Sequence, residues 1–155
     1  MEIVVRPAGT DDLKTLLEFE QGVIEAERPF DVTLKRAPIN YYDMNSMLEA
    51  PHIRLVVADF EGEIVGSGYA RIEGSKPYLT HDRHSYMGFM FTVPEHRGKG
   101  INQKIIKDLE QWSLSQGVTE MRLEVYVANT SAIRAYEKIG FSGNILKMRK
   151  SISEE

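Results

Sequence analysis

The 155-residue chain contains no cysteine. That single absence excludes disulfides, thiolate metal ligands and a cysteine nucleophile, and it leaves the redox compartment unreadable from thiol usage. Long apolar runs are also missing: nothing approaches the roughly 20 residues a membrane-spanning helix needs. Residues Met1 to Arg6 lack the charged, apolar and small-residue layout of a signal peptide. A cytoplasmic location is the expectation. An excess of positive charge is absent: 23 acidic residues outnumber 19 basic ones, for a net charge of −4 at pH 7. Neither nucleic acid nor a membrane surface is therefore an expected partner, although Arg97 and Lys99 form a local basic pair. The four histidines show no H-x-x-x-H or H-E-x-x-H spacing, so no metal is expected. What the chain does have is 42% hydrophobic residues, enough for one core, and a single domain over 1–155 is expected.

The order of elements reads strand, helices, three strands, helix, strand, helix, strand, an α/β or α+β pattern. Glu2 to Arg6 is short and β-branched, and Thr10-Asp11-Asp12 supplies cap chemistry for a helix expected to end near Gly22. A second helical segment is expected from Tyr42 to Glu49. Ile53 to Phe60 and Ile64 to Glu73 are strand-like, with Glu61-Gly62 as a tight hairpin turn. Ser85 to Val93 is the next strand. Ile101, Ile105, Leu109 and Trp112 then form one helical stripe that Gly117 closes. A strand from Met121 to Val127, a helix capped by Asn129-Thr130-Ser131, and a last strand from Ile145 to Ile152 complete the reading.

Between the strand ending at Val93 and the stripe starting at Ile101 lies Arg97-Gly98-Lys99-Gly100-Ile101-Asn102. Backbone N–H groups at a helix start have no intrahelical acceptor, and the peptide dipoles leave partial positive charge there, so an anion such as pyrophosphate is favoured. The run is not a P-loop, because no G-x-x-x-x-G-K frame exists, and not a dinucleotide fingerprint, because a third glycine is missing. Val93-Pro94-Glu95-His96-Arg97-Gly98-Lys99-Gly100 resembles the pyrophosphate loop R-x-x-G-x-G/A of the GNAT superfamily of N-acetyltransferases. Asn129 to Phe141 resembles that family's second signature, N-x-x-A-x-x-x-Y-x-x-x-G-F. The one departure is Asn102, where the family prefers Gly or Ala.

The resemblance implies a central mixed, mostly antiparallel sheet, splayed between two strands and flanked by about four helices. It implies acetyl-CoA as cosubstrate, held by Phe91, Thr92, Val93, Arg97, Gly98, Lys99, Gly100, Ile101, Asn102, Asn129 and Tyr136. The Asn102 amide is expected to donate to a phosphate oxygen. The implied reaction is acetyl transfer to a primary amine of a small molecule or peptide, by direct attack in a ternary complex. The alternative is a catalytically silent acyl-CoA-binding or regulatory module of the same fold, suggested by Asn102 and by the lack of an obvious base.

An alkylamine with a pKa of about 10 must lose a proton before it attacks, and a thiolate with a pKa of about 8.5 leaves best when protonated. Tyr136 matches the family's tyrosine and is the expected acid. Backbone N–H groups within Met90 to Thr92 are expected to face the carbonyl oxygen. For the base, His84 and Tyr86 share sequence parity with Met90 and Thr92 and are expected on one face with them. Glu124, an acid of the irregular segment 18–47, or a water relay are the other options. Glu20, Glu25, Glu27 and Asp31 are read as solvated charges or as attractors for a cationic amine. A homodimer is expected if the single strand after Phe141 leaves an edge for a partner to complete.

Overall fold

Among the described residues, 2–153, the β-branched and alternating segments of the computed structural model pair into one five-stranded sheet laid out in chain order. Its strands are β1 (Ile3–Pro7), β2 (Ile53–Phe60), β3 (Glu63–Gly74), β4 (Arg83–Thr92) and β5 (Met121–Arg122). The first four join antiparallel, and β5 runs parallel to β4. Four α-helices are present among those residues: α1 (Leu13–Glu27), α2 (Met44–Glu49), α3 (Ile101–Ser115) and α4 (Thr130–Lys138). The expected mixed, mostly antiparallel α/β architecture is the one observed. The chain divides into two compact units, Met1–Glu124 and Val125–Glu155.

In the first unit the two faces of the sheet are covered differently. Leu16 and Phe19 of α1 and Met44 and Met47 of α2 close a buried cluster over Leu55, Val57, Tyr69 and Phe89. On the opposite face, Gly68 lets α3 settle directly on β3: a Cβ there would lie 2.7 Å from Ile105 and 2.8 Å from the Met90 sulfur. The predicted α3 stripe is the buried one, with Ile101, Ile105 and Leu109 all inside. Arg54 of β2 grips Asp108 of α3 through two bonds of 3.0 and 3.1 Å. The Glu61-Gly62 hairpin turn forms as expected, with φ of 52° and 90°, the pattern of a type I′ turn.

Several sequence boundaries are corrected. The first helix does not end at Gly22 but continues to Glu27. Gly22 serves packing rather than termination, since a Cβ there would sit 2.6 Å from the Phe91 ring, itself stacked on Phe19 at 4.7 Å. Gly22→Ala gains about 1 kcal/mol of helix propensity but overpacks a held ring at about 1–3 kcal/mol. The expected result is a net loss of about 1 kcal/mol, read as a lower urea midpoint at unchanged slope, and an unchanged midpoint would count against it.

The second helix starts at Met44 rather than Tyr42, because Asp43 caps it by accepting from the Ser46 N–H at 3.3 Å. After α3, the strand expected over 121–127 is confined to Met121–Arg122, which pair with Ser85 and Tyr86. Among the described residues no ladder pair joins β4 to the chain beyond Arg122. Residues 141–153 form no helix or strand, so the last expected strand, Ile145 to Ile152, is absent. The homodimer expectation rested on that strand, and the fold gives it no support.

Candidate active site

The segment that leads from β4 into α3 carries the cradle. A short 3₁₀ turn, Pro94–His96, lifts the chain off the sheet, and Gly98 and Gly100 follow with φ of 76° and 78°. Both lie in the left-handed region that side chains resist, and nothing lies within 4 Å of a Cβ built on Gly98. The first α3 bond runs from the Lys104 N–H to the Gly100 carbonyl at 3.2 Å. The N–H groups of Ile101, Asn102 and Gln103 therefore precede any helical acceptor. Arg97, Gly98, Lys99 and Gly100 are all exposed beside them. Helix-start donors, open glycines and two exposed cations fit a pyrophosphate.

Other predicted cofactor residues have definite local roles. Asn102 is explained by its neighbour: its Oδ1 accepts from the Thr92 hydroxyl at 2.9 Å, which ties the first turn of α3 to the end of β4. The side-chain oxygen is thus engaged, and the amide nitrogen is the group left over. Arg97 donates through Nε to the Thr92 carbonyl at 3.2 Å, so the loop is clasped to the strand on both sides. Val93 donates its N–H to Val65 at 2.9 Å. Because N–H direction alternates along a strand, the Thr92 N–H points away from β3, toward the open edge. Among these residues Thr92, not Val93, offers a main-chain donor there.

Upstream, β4 contains a bulge. Tyr69 pairs with Gly88 and Ser67 with Phe91, so Phe89 and Met90 together oppose Gly68 alone. Phe89 takes φ of 55°, a conformation costly for a bulky side chain. The Ser67 hydroxyl donates to the Phe89 carbonyl at 3.0 Å, and the Tyr69 phenol lies over Gly88, where a Cβ would meet its oxygen at 2.9 Å. The bulge also reverses side-chain parity. Tyr86 packs beside Tyr69 and Phe89 on the α1 face, whereas Met90 and Thr92 face α3. The expectation that His84 and Tyr86 share a face with Met90 and Thr92 is therefore corrected, since an extra residue intervenes.

On the α1 face a polar wall follows the open edge. Arg71 stacks over the Tyr69 and Tyr86 rings at 5.6 and 5.4 Å and pairs with Glu73 at 2.7 Å. The Tyr86 hydroxyl donates to Glu124 Oε1 at 3.0 Å, and Glu124 is exposed. Burial first, and then the bond to Glu124, holds the Tyr86 phenol well above its ordinary range. Tyr42 is displaced the same way by burial and by nearby Tyr69 and Glu27. Both phenols stay protonated at neutral pH. His84 is buried, with Nδ1 2.8 Å from the Ser75 hydroxyl and Nε2 3.2 Å from Glu73. Both ring nitrogens are engaged.

Of the four acids read from α1 and its loop, Glu25 pairs with Arg28 at 2.9 Å and Asp31 accepts from the Thr33 N–H at 2.9 Å. Glu20, read as a solvated charge or as an attractor for a cationic amine, is fully buried. Its position on the apolar stripe, seven residues after Leu13 and four after Leu16, is the signal that could have placed it inside.

The second unit carries the other signature. Asn129 caps α4, its Oδ1 accepting from the Ala132 N–H at 3.3 Å. Tyr136 packs edge-on against Phe141 at 5.8 Å, and its carbonyl accepts the Ile139 and Phe141 N–H groups at 3.1 Å. Gly140 completes the turn with φ of 103°. Elsewhere, a cavity of about 160 Å³ lies between α2, β2 and Trp112 and contains none of the predicted site residues. Among the described residues no group of three or more His, Asp or Glu is arranged to hold a metal ion. No helix there is long and apolar enough to cross a membrane.

A family model described as Acetyltransferase (GNAT) family matches residues 14–141. Among curated proteins, the chain is 36% identical over 61 residues to an uncharacterized N-acetyltransferase, YobR, of Bacillus subtilis, covering 39% of this chain and 25% of that protein. It is 34% identical over 58 residues to the thialysine N-epsilon-acetyltransferase of Mus musculus, covering 37% of this chain and 34% of that one. The chain thus spans only about a quarter to a third of the length of these curated relatives. Among solved structures, a predicted acetyltransferase with acetyl-CoA from Clostridium acetobutylicum superposes with a TM-score of 0.74 at 17% identity, covering 97% of each chain.

Proposed function

The chain belongs to the acetyltransferase (GNAT) family, and from that premise we propose that it transfers an acetyl group from acetyl-CoA to a primary amine of a small molecule or peptide. The two units act as one acetyltransferase domain in this reading, in a cytoplasmic setting suggested by the composition. The observation that carries the proposal is the open, left-handed Gly98 and Gly100 cradle at the start of α3, on the same piece of chain as the Phe89 bulge. When bound, acetyl-CoA supplies an activated thioester.

The remaining roles fall to side chains and amides of this chain. The N–H groups of residues 98–102, with Arg97 and Lys99, take the pyrophosphate. The Thr92 N–H and the amides exposed by the bulge pair with the carrier arm and polarise the carbonyl oxygen. Phe91 holds the strand against α1 through Phe19 and Gly22. Asn129 shapes the start of α4, and the Tyr136 phenol protonates the leaving sulfur.

The base in this reaction is Glu124 rather than His84. Engagement of both His84 nitrogens suits a structural role, whereas Glu124 is exposed at the open edge with one oxygen beyond its Tyr86 bond. Glu124 takes the amine proton directly or through a water. Glu124→Gln is expected to lower kcat/KM for the amine by about 10²-fold with unchanged acetyl-CoA affinity. Equal loss in His84→Gln, with Glu124→Gln silent, would return the role to His84.

A panel of amines with a free-thiol readout tests the reaction itself, and calorimetry tests acetyl-CoA binding. Saturable binding without acetyl-dependent thiol release for any amine would favour the silent module instead. Its original motive at Asn102 is weakened, because Asn102 is committed to Thr92 and does not crowd the cradle.

A further inference from the structure

Glu20 is the one carboxylate of the first unit that is fully buried, at 0% exposure, and no lysine or arginine pairs with it among the described residues. Its Oε2 accepts two short main-chain bonds, from the N–H groups of Tyr41 at 2.8 Å and Tyr42 at 2.7 Å. Its Oε1 is buried without a hydrogen-bond partner. A buried carboxylate is costly unless its hydrogen bonds are good, and an uncharged residue would fill the same stripe of α1 at lower cost. Two charge-assisted bonds to successive amides are what the charge provides here. They fix a segment that belongs to neither α1 nor α2, since residues 38–43 form no helix or strand.

That segment presents Tyr42. Its ring rests on Phe89 with centroids 5.0 Å apart and meets Tyr69 edge-on at 5.8 Å. Phe89 is the residue whose left-handed backbone makes the bulge, and the Ser67 hydroxyl holds the Phe89 carbonyl at 3.0 Å. Ser67 grips the strained backbone, and Tyr42 seats the side chain. Neither contact reaches the cradle at Gly98 and Gly100.

We infer that Glu20 is a positioning residue: by holding the Tyr41 and Tyr42 amides it seats the Tyr42 ring on Phe89 and so sets the aim of the bulge amides at the acetyl carbonyl. The inference rests on the acetyltransferase reading above. Its consequence is a separation of effects, in which loss of the Glu20 charge spoils the polarisation of the carbonyl while the pyrophosphate grip is untouched.

The test uses the full chain with acetyl-CoA labelled with ¹³C at the carbonyl, whose stretching band is read by isotope-edited infrared difference spectroscopy. In the native protein the bound band is expected below its solution position. In Glu20→Gln it is expected to return toward the solution value, with kcat about 10- to 100-fold lower and the acetyl-CoA dissociation constant unchanged by calorimetry. Tyr42→Ala should shift the band the same way, Tyr42→Phe should not, and Glu20→Gln combined with Tyr42→Ala should show less than the sum of the single effects. A native band position in a folded Glu20→Gln chain overturns the inference. If that variant does not fold, a native band in Tyr42→Ala overturns it equally. Absence of saturable acetyl-CoA binding by the native chain is a different result, and it removes the acetyltransferase reading and this inference together.

Discussion

Replacing Tyr136 by phenylalanine is expected to lower kcat by about 10²-fold while leaving acetyl-CoA affinity where it is. The edge-on contact with Phe141 is a ring contact, which phenylalanine keeps. What it removes is a proton donor. A thiolate with a pKa of about 8.5 needs that donor at neutral pH and progressively less above it. The deficit of Tyr136→Phe should therefore be largest near pH 7 and shrink as pH rises past the thiol value. Steady-state rates from pH 6 to 10, with an amine found in the panel, check this. A variant as fast as the native chain at pH 7 would remove Tyr136 from the chemistry.

The second large effect belongs to Gly100. Valine there must adopt φ near 78°, at a cost of about 1–2 kcal/mol for the left-handed conformation, or else the loop rotates away. Either outcome disturbs the row of N–H groups ahead of the first α3 bond from Lys104 to Gly100. Charge-assisted hydrogen bonds contribute about 1.5–3 kcal/mol each. Losing one or two of them weakens acetyl-CoA by about 10²-fold, seen by calorimetry as a raised dissociation constant. The same measurement with dephosphorylated pantetheine, which carries no pyrophosphate, should show no difference between the variant and the native chain. An unchanged dissociation constant for acetyl-CoA in Gly100→Val would place the pyrophosphate elsewhere.

The glycine loop ahead of α3 was legible because its conformation is written in residue types. Two glycines, a basic pair and a following apolar stripe each have a local cause, and those causes hold wherever the segment sits. The α3 stripe through Ile101, Ile105 and Leu109 was legible for the same reason. The bulge was not. The one local signal is Gly88, a strand glycine of the kind that often marks a bulge; Phe89 itself is neither glycine nor asparagine, and its left-handed backbone is held by Ser67, Tyr69 and Tyr42 from other strands and loops. Parity counted through it necessarily inverted, which is why Tyr86 and Thr92 appeared to share a face. Gly22 misled in the opposite direction: a residue that usually ends helices stands mid-helix because a ring from β4 needs the space. The strand over 121–127 could not be bounded either, since two pairs with β4 decide where it stops.

The bulge at Phe89 and the cradle at Gly98 to Gly100 lie on one uninterrupted stretch, clasped midway where Thr92 meets both Arg97 and Asn102. Such a stretch behaves as a ruler. With the pyrophosphate at the cradle and the carbonyl at the bulge, as proposed above, it would set how far the anionic end of a donor must be from its reactive carbon, whatever the head group or the acyl chain. Acetyl phosphate, whose phosphate and acyl carbon are separated by a single oxygen, cannot span the two marks and should be ignored even at high concentration. A single residue inserted between Thr92 and Arg97 would lengthen the ruler, undo its clasp and misplace the carbonyl of a carrier still held by its pyrophosphate.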